Sequence, residues 1–241
     1  ELAQFADVVT VNSGNVGINT SSPHSYYAKK LVVDCGTDGQ NGITIKSSTT
    51  GAGMFAFADG TSGSDRYRGY INYNHANDSM TLGTAGGAGI LGIDATGAVT
   101  MPTQPAFLVK PNTEQSNIAL AGNVTVLFQT EIFDQNADFA NNTFTAPVSG
   151  KYQLNFSVYL KDINDAYQYI YARIQTSNRN YEVEIYPSTI FNSDGRITIG
   201  AGFLADMDAS DTAFVTVQVP NTGSAQMDIV VYSSFSGYLV A

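Results

Sequence analysis

Tryptophan is absent, cysteine occurs once, histidine twice, and only 13% of residues are charged. Each scarcity removes a class of function. The lone Cys35 cannot close an intramolecular disulfide, so an oxidising compartment is not implied. His24 and His75 lie in separate segments beside turn residues, which is not the convergent ligand spacing a metal site needs. With 11 Lys and Arg against 21 Asp and Glu, the net charge of −10 opposes a nucleic-acid footprint, which requires clustered cations. No run of about 18 apolar residues is available for membrane insertion. Neither a Cys–His pairing pattern nor a G-x-S-x-G elbow supports nucleophilic catalysis. Glu1 rather than Met opens the chain with no signal-peptide pattern, which reads as a fragment or processed form.

What is present is 23 Gly, 14 Tyr and abundant Ser, Thr and Asn in 241 residues. That composition suits an all-β protein rich in turns, and the length allows one large domain or two ordinary ones. Leu2, Phe5 and Val9 have a short helical spacing, and residues 1–12 read as a stalk or linker. From 13 to 101 short strands are expected in "KKLVVDCG", "NGITIKSS", "GMFAFADG", "RGYINYNHANDSMTLGT" and "ILGIDATGAVTM". Asp38–Gly39, Asn41–Gly42 and Asp59–Gly60 signal turns, because glycine accepts positive φ at little cost. "HANDS" reads as a hairpin loop. The two prolines of "MPTQPAF" mark a boundary, with a second domain over 102–241.

Beyond that boundary the alternation sharpens. In "NTFTAPVSGKYQLNFSVYL" a Pro-Gly corner feeds a run with Tyr152, Leu154, Phe156, Val158 and Leu160 on one face. Gln153, Asn155, Ser157 and Tyr159 take the other, as in a strand with one buried side. Val215, Val217 and Val219 alternate with Phe214, Thr216 and Gln218 in the same way. About eight such strands near ten-residue spacing predict a β-sandwich.

The landmarks from "PAFLV" to "SSFSGYLV" resemble the C1q-like and tumour-necrosis-factor-like jelly roll. Phe144, Ala146, Pro147, Gly150 and Tyr152 match the family's "F-x-A-P-x-x-G-x-Y-x-F" signature, with Leu154 in place of the second aromatic. No collagen stalk precedes it, and similarity is weakest from Asp162 to Arg196. The first half is similar instead to bacteriophage tail-fibre proteins. "GNVGINTSSP" is close to their recurring "G-N-V-G-I-G-T-x-x-P" element, followed by "KKLVVD", by "RGYINYNHANDSMTLGT" and by the closing "LGIDATGAVT". The two resemblances together imply a short-stranded fibre domain followed by a C1q/TNF-like jelly-roll β-sandwich, assembled as a homotrimer.

Candidate chemistry is sparse. "GAGILG" matches G-x-G-x-x-G but precedes strand and turn residues, not the helix that dinucleotide binding needs. Asp206, Asp208 and Asp211 in "ADMDASD" are the best cation candidate, with calcium as the ion, though the EF-hand Gly and terminal Glu are missing. Glu131 with Asp134, or Glu182 with Glu184, could form a glycosidase pair only across a cleft, and the latter two alternate as the wet face of a strand. Five N-x-S/T sequons begin at Asn19, Asn77, Asn123, Asn141 and Asn155, as expected by chance in this composition. Tyrosines are concentrated in one stretch, and Tyr167, Tyr169 and Tyr171 share parity. Their rings suit a trimer axis or a ligand surface equally.

The expectation is a non-enzymatic, receptor-binding phage tail-fibre protein on the virion. Its partners would be a host cell-surface glycan or outer-membrane protein and other virion tail proteins, with no nucleic acid and no membrane insertion. Tyr167, Tyr169, Tyr171 and Asn192 are the receptor-binding candidates, in loops Lys161–Tyr167 and Tyr186–Gly195 where sequence is freest to specialise. The alternatives are a tailspike-like glycan depolymerase and a secreted C1q-like adhesion ligand.

Overall fold

A computed structural model describes residues 9–37, 39–119, 122–163, 167–187, 195–218 and 226–241. These residues are all-β apart from two 3-10 turns, Pro23–Ser25 and Gly63–Tyr67. Among them no helix is long and apolar enough to cross a membrane, which leaves β-barrel insertion unaddressed.

The first sheet joins β1 (Val9–Asn12), β2 (Asn15–Ile18) and β3 (Leu31–Val33). Ser13 and Gly14 both have positive φ, 52° and 75°, the geometry of a two-residue turn whose twist matches the strands it joins. Residues 9–12 pair with Asn15–Ile18 as the first strand of this hairpin. The short helical spacing that includes Val9 is otherwise confined to residues outside those described.

A second, five-stranded antiparallel meander runs β4 (Ala52–Phe57), β5 (Gly69–Asn74), β6 (Ser79–Gly83), β7 (Gly89–Ile93) and β8 (Val99–Thr100). The His75–Asp78 loop closes the β5–β6 hairpin, as "HANDS" predicts. Asp94 Oδ1 accepts hydrogen bonds from the N–H groups of Thr96 and Ala98, fixing the β7–β8 turn. "NGITIKSS" is not a strand: Ile43 and Ile45 are exposed, and nothing pairs this stretch into the sheet. "GAGILG" is turn and β7, without the helix a dinucleotide site requires.

The remaining strands form two facing sheets. They are β9 (Ala106–Lys110), β10 (Gln115–Ala119), β11 (Val124–Thr125), β12 (Thr130–Asp134), β13 (Phe139–Ala140), β14 (Thr143–Thr145) and β15 (Gly150–Lys161). There follow β16 (Ile170–Thr176), β17 (Asn180–Ile185), β18 (Ile197–Met207), β19 (Thr212–Gln218), β20 (Gln226–Ile229) and β21 (Ser234–Leu239). The larger sheet orders β10-β20-β15-β21-β9-β12 with β18 on the other edge of β15; the smaller orders β13-β14-β19-β16-β17. Sequence neighbours are repeatedly separated in space, as in a jelly roll.

Alternation places the core as read. Tyr152, Leu154, Phe156, Val158 and Leu160 are all at most 4% exposed, against Ile170, Ala172, Ile174, Val215 and Val217 of the facing sheet. Phe107 lies at the centre of an aromatic cluster, 4.7 Å from Phe144, 5.0 Å from Phe235 and 5.3 Å from Phe139, centroid to centroid. A side chain at Gly237 would come within 2.6 Å of Leu154 Cδ2 and 2.8 Å of Phe107 Cε1, so this strand must be bare there. Tyr152 satisfies its buried hydroxyl by donating to Val148 O at 2.8 Å across the Pro-Gly corner.

Candidate functional site

The outer face of β17-β16-β19 gathers the aromatic and charged groups of the jelly roll. Because β16 sends Ile170, Ala172 and Ile174 inward, Tyr171, Arg173 and Gln175 must point outward. Register then sets Glu184 opposite Tyr171 and Glu182 opposite Arg173 on β17, with Gln218 opposite Tyr171 on β19. Tyr169, just before β16, lies 5.0 Å from the Tyr171 ring and 6.3 Å from that of Tyr186. On the other side of Tyr171 the Arg173 guanidinium stands 5.4 Å from the ring centroid.

Arg173 is largely buried by its neighbours and held on both sides. Its Nε pairs with Glu182 Oε2 at 3.1 Å, and its Nη2 donates to Gln218 Oε1 at 2.8 Å. Desolvation, and then the Glu184 carboxylate, push the Tyr171 phenol above its ordinary range. Tyr186 is pushed up chiefly by donating its hydroxyl to Glu184. Both phenols therefore stay neutral donors at physiological pH. The result is a ladder of two rings and a guanidinium flanked by a third ring, two carboxylates and an amide. Apolar ring faces beside fixed donors and acceptors can hold a ligand that is itself half apolar and half hydroxylated.

The sequence-predicted candidates divide. Tyr169 and Tyr171 share this face. Tyr167 does not: it is 6% exposed, packed in the core, and its hydroxyl donates to Gln226 O at 3.4 Å. The shared parity fails because β16 begins only at Ile170 and the chain bends at Gln168. Asn192 lies outside the described residues, as do parts of both loops named with it. Tyr186, Glu184, Arg173 and Gln218 complete the patch. The period-two pattern of β17 puts Glu182 and Glu184 outside, but their partners depend on register with strands that are remote in sequence.

The acidic turn is occupied by its own protein groups. Asp206 Oδ2 pairs with Arg179 Nη2 at 2.7 Å, and Asp211 Oδ2 accepts from Asp208 N and Asn178 Nδ2, each at 2.8 Å. Asp206, Asp208 and Asp211 thus do not converge, and among the described residues no group of three or more His, Cys, Asp or Glu could hold a metal. Asp134 spends its carboxylate capping the N–H groups of Asp138 and Phe139. Glu182 is neutralised by Arg173, so the Glu182–Glu184 pair is the wet face of β17.

A further charged group ties the large sheet together. Lys161 Nζ lies 2.8 Å from Glu114 Oε1 and 3.2 Å from Asp228 Oδ2, and Asp228 Oδ1 accepts from Asn117 N at 2.6 Å. Burial works against the Asp228 charge, but the Asn117 N–H and Lys161 outweigh it and hold the carboxyl below its usual range.

Comparison with known proteins gives three results. No curated protein matches the chain significantly. Among solved structures, the globular domain of a zebrafish complement 1qA protein is similar at 21% identity, with 57% of this chain and 98% of that one covered, at a TM-score of 0.42. Murine APRIL is similar at 10% identity, covering 57% and 100% of the two chains, at a TM-score of 0.43. The C1q domain model matches residues 106–240, more than half of the chain. That span holds the Pro-Gly corner, both facing sheets and the closing strand, and it places this chain in the C1q domain family.

Proposed function

We propose that the chain is the subunit of a homotrimeric, non-enzymatic binding protein that works outside the cell and grips a cell-surface glycan. The observation that carries this is the Tyr169–Tyr171–Arg173 ladder with Tyr186 and Glu184, on the outward face of the smaller sheet. C1q domains are typically extracellular trimeric binding modules, and the large sheet has a face suited to self-association. Gln153, Asn155 and Ser157 lie between Leu204, Gly202 and Gly200 on one side and Tyr238, Ser236 and Ser234 on the other, without a charge. A closed threefold arrangement can bury such a flat, uncharged face while leaving the tyrosine patch outside. Three weak sites then act together through effective concentration.

A finer reading is favoured by the N-terminal half. The turn glycine and β2 within "GNVGINT" and the closing turn held by Asp94 are among the elements that resemble phage tail fibres. On this reading residues 13–101 are a fibre segment carrying a receptor-binding jelly roll over 102–241. The virion tail would supply the neighbouring partners, and a host glycan or outer-membrane protein would be the receptor.

The test is a panel of purified surface glycans and outer-membrane proteins, scored for binding and for released product. Binding without cleavage, weakened about tenfold or more by Tyr171→Ala and by Glu184→Gln, supports the proposal. Oligosaccharide release would establish the depolymerase alternative. Undiminished binding by both variants would move the site elsewhere.

A further inference from the structure

The meander β4–β8 has an apolar face that the described residues leave largely open, with Ile45 lying against it at the Gly53 edge. Register makes Phe55, Ile71, Leu82 and Leu91 one row across four strands. Met80, Ile93 and Val99 continue the next row on the same face. The opposite face of the same strands is mixed, with Asn72, Thr81 and Thr100 beside Met54 and Tyr70. No charged side chain interrupts the apolar rows, yet Phe55, Phe57 and Val99 are 49%, 67% and 61% exposed. Even Leu82, on the central strand, is 36% exposed. A sheet patterned for one buried side needs a second layer, and a single layer with an open apolar face is not independently stable.

We propose that the missing layer is two further copies of the same sheet, the three apolar faces closing a three-sided prism with a dry interior. This rests on the homotrimer reading and adds a second interface to it. Geometry permits three copies. Five strands at about 4.8 Å spacing make a sheet about 19 Å wide, and a triangle of that side puts each sheet about 5.5 Å from the axis. Packed sheets stand about 10 Å apart, so about 5 Å per sheet is what side chains of this size fill. The exposed apolar area, on the order of several hundred Å² per copy, approaches the ~800 Å² that each partner contributes to a standard interface.

Proximity favours identical partners over any other. Only residues 101–105 separate β8 from β9. Gln135 Nε2 donates to Met101 O and Gln104 O, and Asn136 Nδ2 to Thr103 O, which fastens this connection to the jelly roll. Three assembled jelly rolls would hold three meanders at roughly millimolar effective concentration. Tyr73 belongs to the apolar face by register with Met80, and its hydroxyl is satisfied by Asp78 at 3.2 Å, so covering the ring strands no donor.

The experiment uses the full chain with Cys35→Ser as background. Leu82→Cys should give interchain cross-links on mild oxidation, because the central strands approach the axis most closely, and Thr81→Cys on the opposite face should not. Leu82→Asp should lower hydrogen-exchange protection of the β5–β7 amides by about tenfold or more, with Thr81→Asp leaving it unchanged. Light scattering separates the two levels of failure. A wild-type mass of 25.6 kDa rather than three times that value would overturn the trimer and the prism together. A trimer in which the Leu82 and Thr81 variants behave alike would overturn the prism alone.

Discussion

From Phe107 to Phe235 the jelly roll contains one continuous cluster of buried side chains, whereas among the described residues before it the buried apolar side chains are Pro23 and Val32. Both regions use short antiparallel strands with period-two patterning. The difference lies in layering: β15 meets the facing sheet across its apolar side, whereas among the described residues no second sheet covers the apolar side of β6, where Met80 and Leu82 are exposed. Alternation therefore states that a face is to be covered, without stating by what. In the jelly roll the cover comes from the same chain through crossovers; for the meander it has to come from outside the strands described.

The largest expected effect sharpens that contrast. Phe156→Ala should destabilise the jelly roll by about 3–5 kcal/mol in urea unfolding, because the side chain is fully enclosed. A loss below about 1 kcal/mol would mean its face has been assigned backwards. The matched substitution Leu82→Ala should cost about 2–4 kcal/mol in the assembled protein if its row is covered, and about 0.5 kcal/mol if it stays open.

Tyr167→Ala separates core from surface within the candidate patch. Its burial implies a loss of about 3 kcal/mol in stability, read as a lowered melting temperature, whereas Tyr171→Ala should cost about 1 kcal/mol or less and act on binding. Equal, small effects from the two would return Tyr167 to the surface.

A smaller effect is electrostatic. Asp228 has a lowered carboxyl pKa in the fold, so its contribution is present above the ordinary carboxylate range and is lost as pH falls through the lowered value. Lys161 is raised, by Glu114 first and Asp228 next, so its contribution holds at neutral pH and is lost only as pH rises through the raised value. Asp228→Asn should cost about 1–2 kcal/mol at pH 7 and flatten the acid limb of the stability profile. An unchanged acid limb would remove Asp228 from the account. Least of all, Asp206→Asn at the exposed Arg179 pair should change stability by less than about 1 kcal/mol, with or without added calcium in thermal melts.

Much of the jelly roll was legible because its signals are local. The Pro-Gly corner, the parity of Tyr152 through Leu160 and the closing "FSGYL" each lie within one strand or turn. The candidate patch was half legible for the same reason. Tyr169 and Tyr171 share a face two residues apart, and Glu182 and Glu184 alternate outward. Tyr167 was misplaced because a bend at Gln168 shifts the parity, and no residue near it announces that bend. Arg173 acquires its meaning from Glu182 on one neighbouring strand and Gln218 on the other, and these lie 9 and 45 positions away.

By itself, then, the sequence determined the all-β class, the buried face of each strong strand, the hairpin loop at His75–Asp78, and membership of the jelly-roll family. These follow from steric limits on single residues and from the two-residue period of a strand, which need no knowledge of neighbours. Only the tertiary structure decided which strands pair, which carboxylates are already neutralised, that Ile43 and Ile45 lie outside the sheet, and that the meander is left one-sided. Those are properties of register and layering, fixed by contacts between segments far apart in the chain.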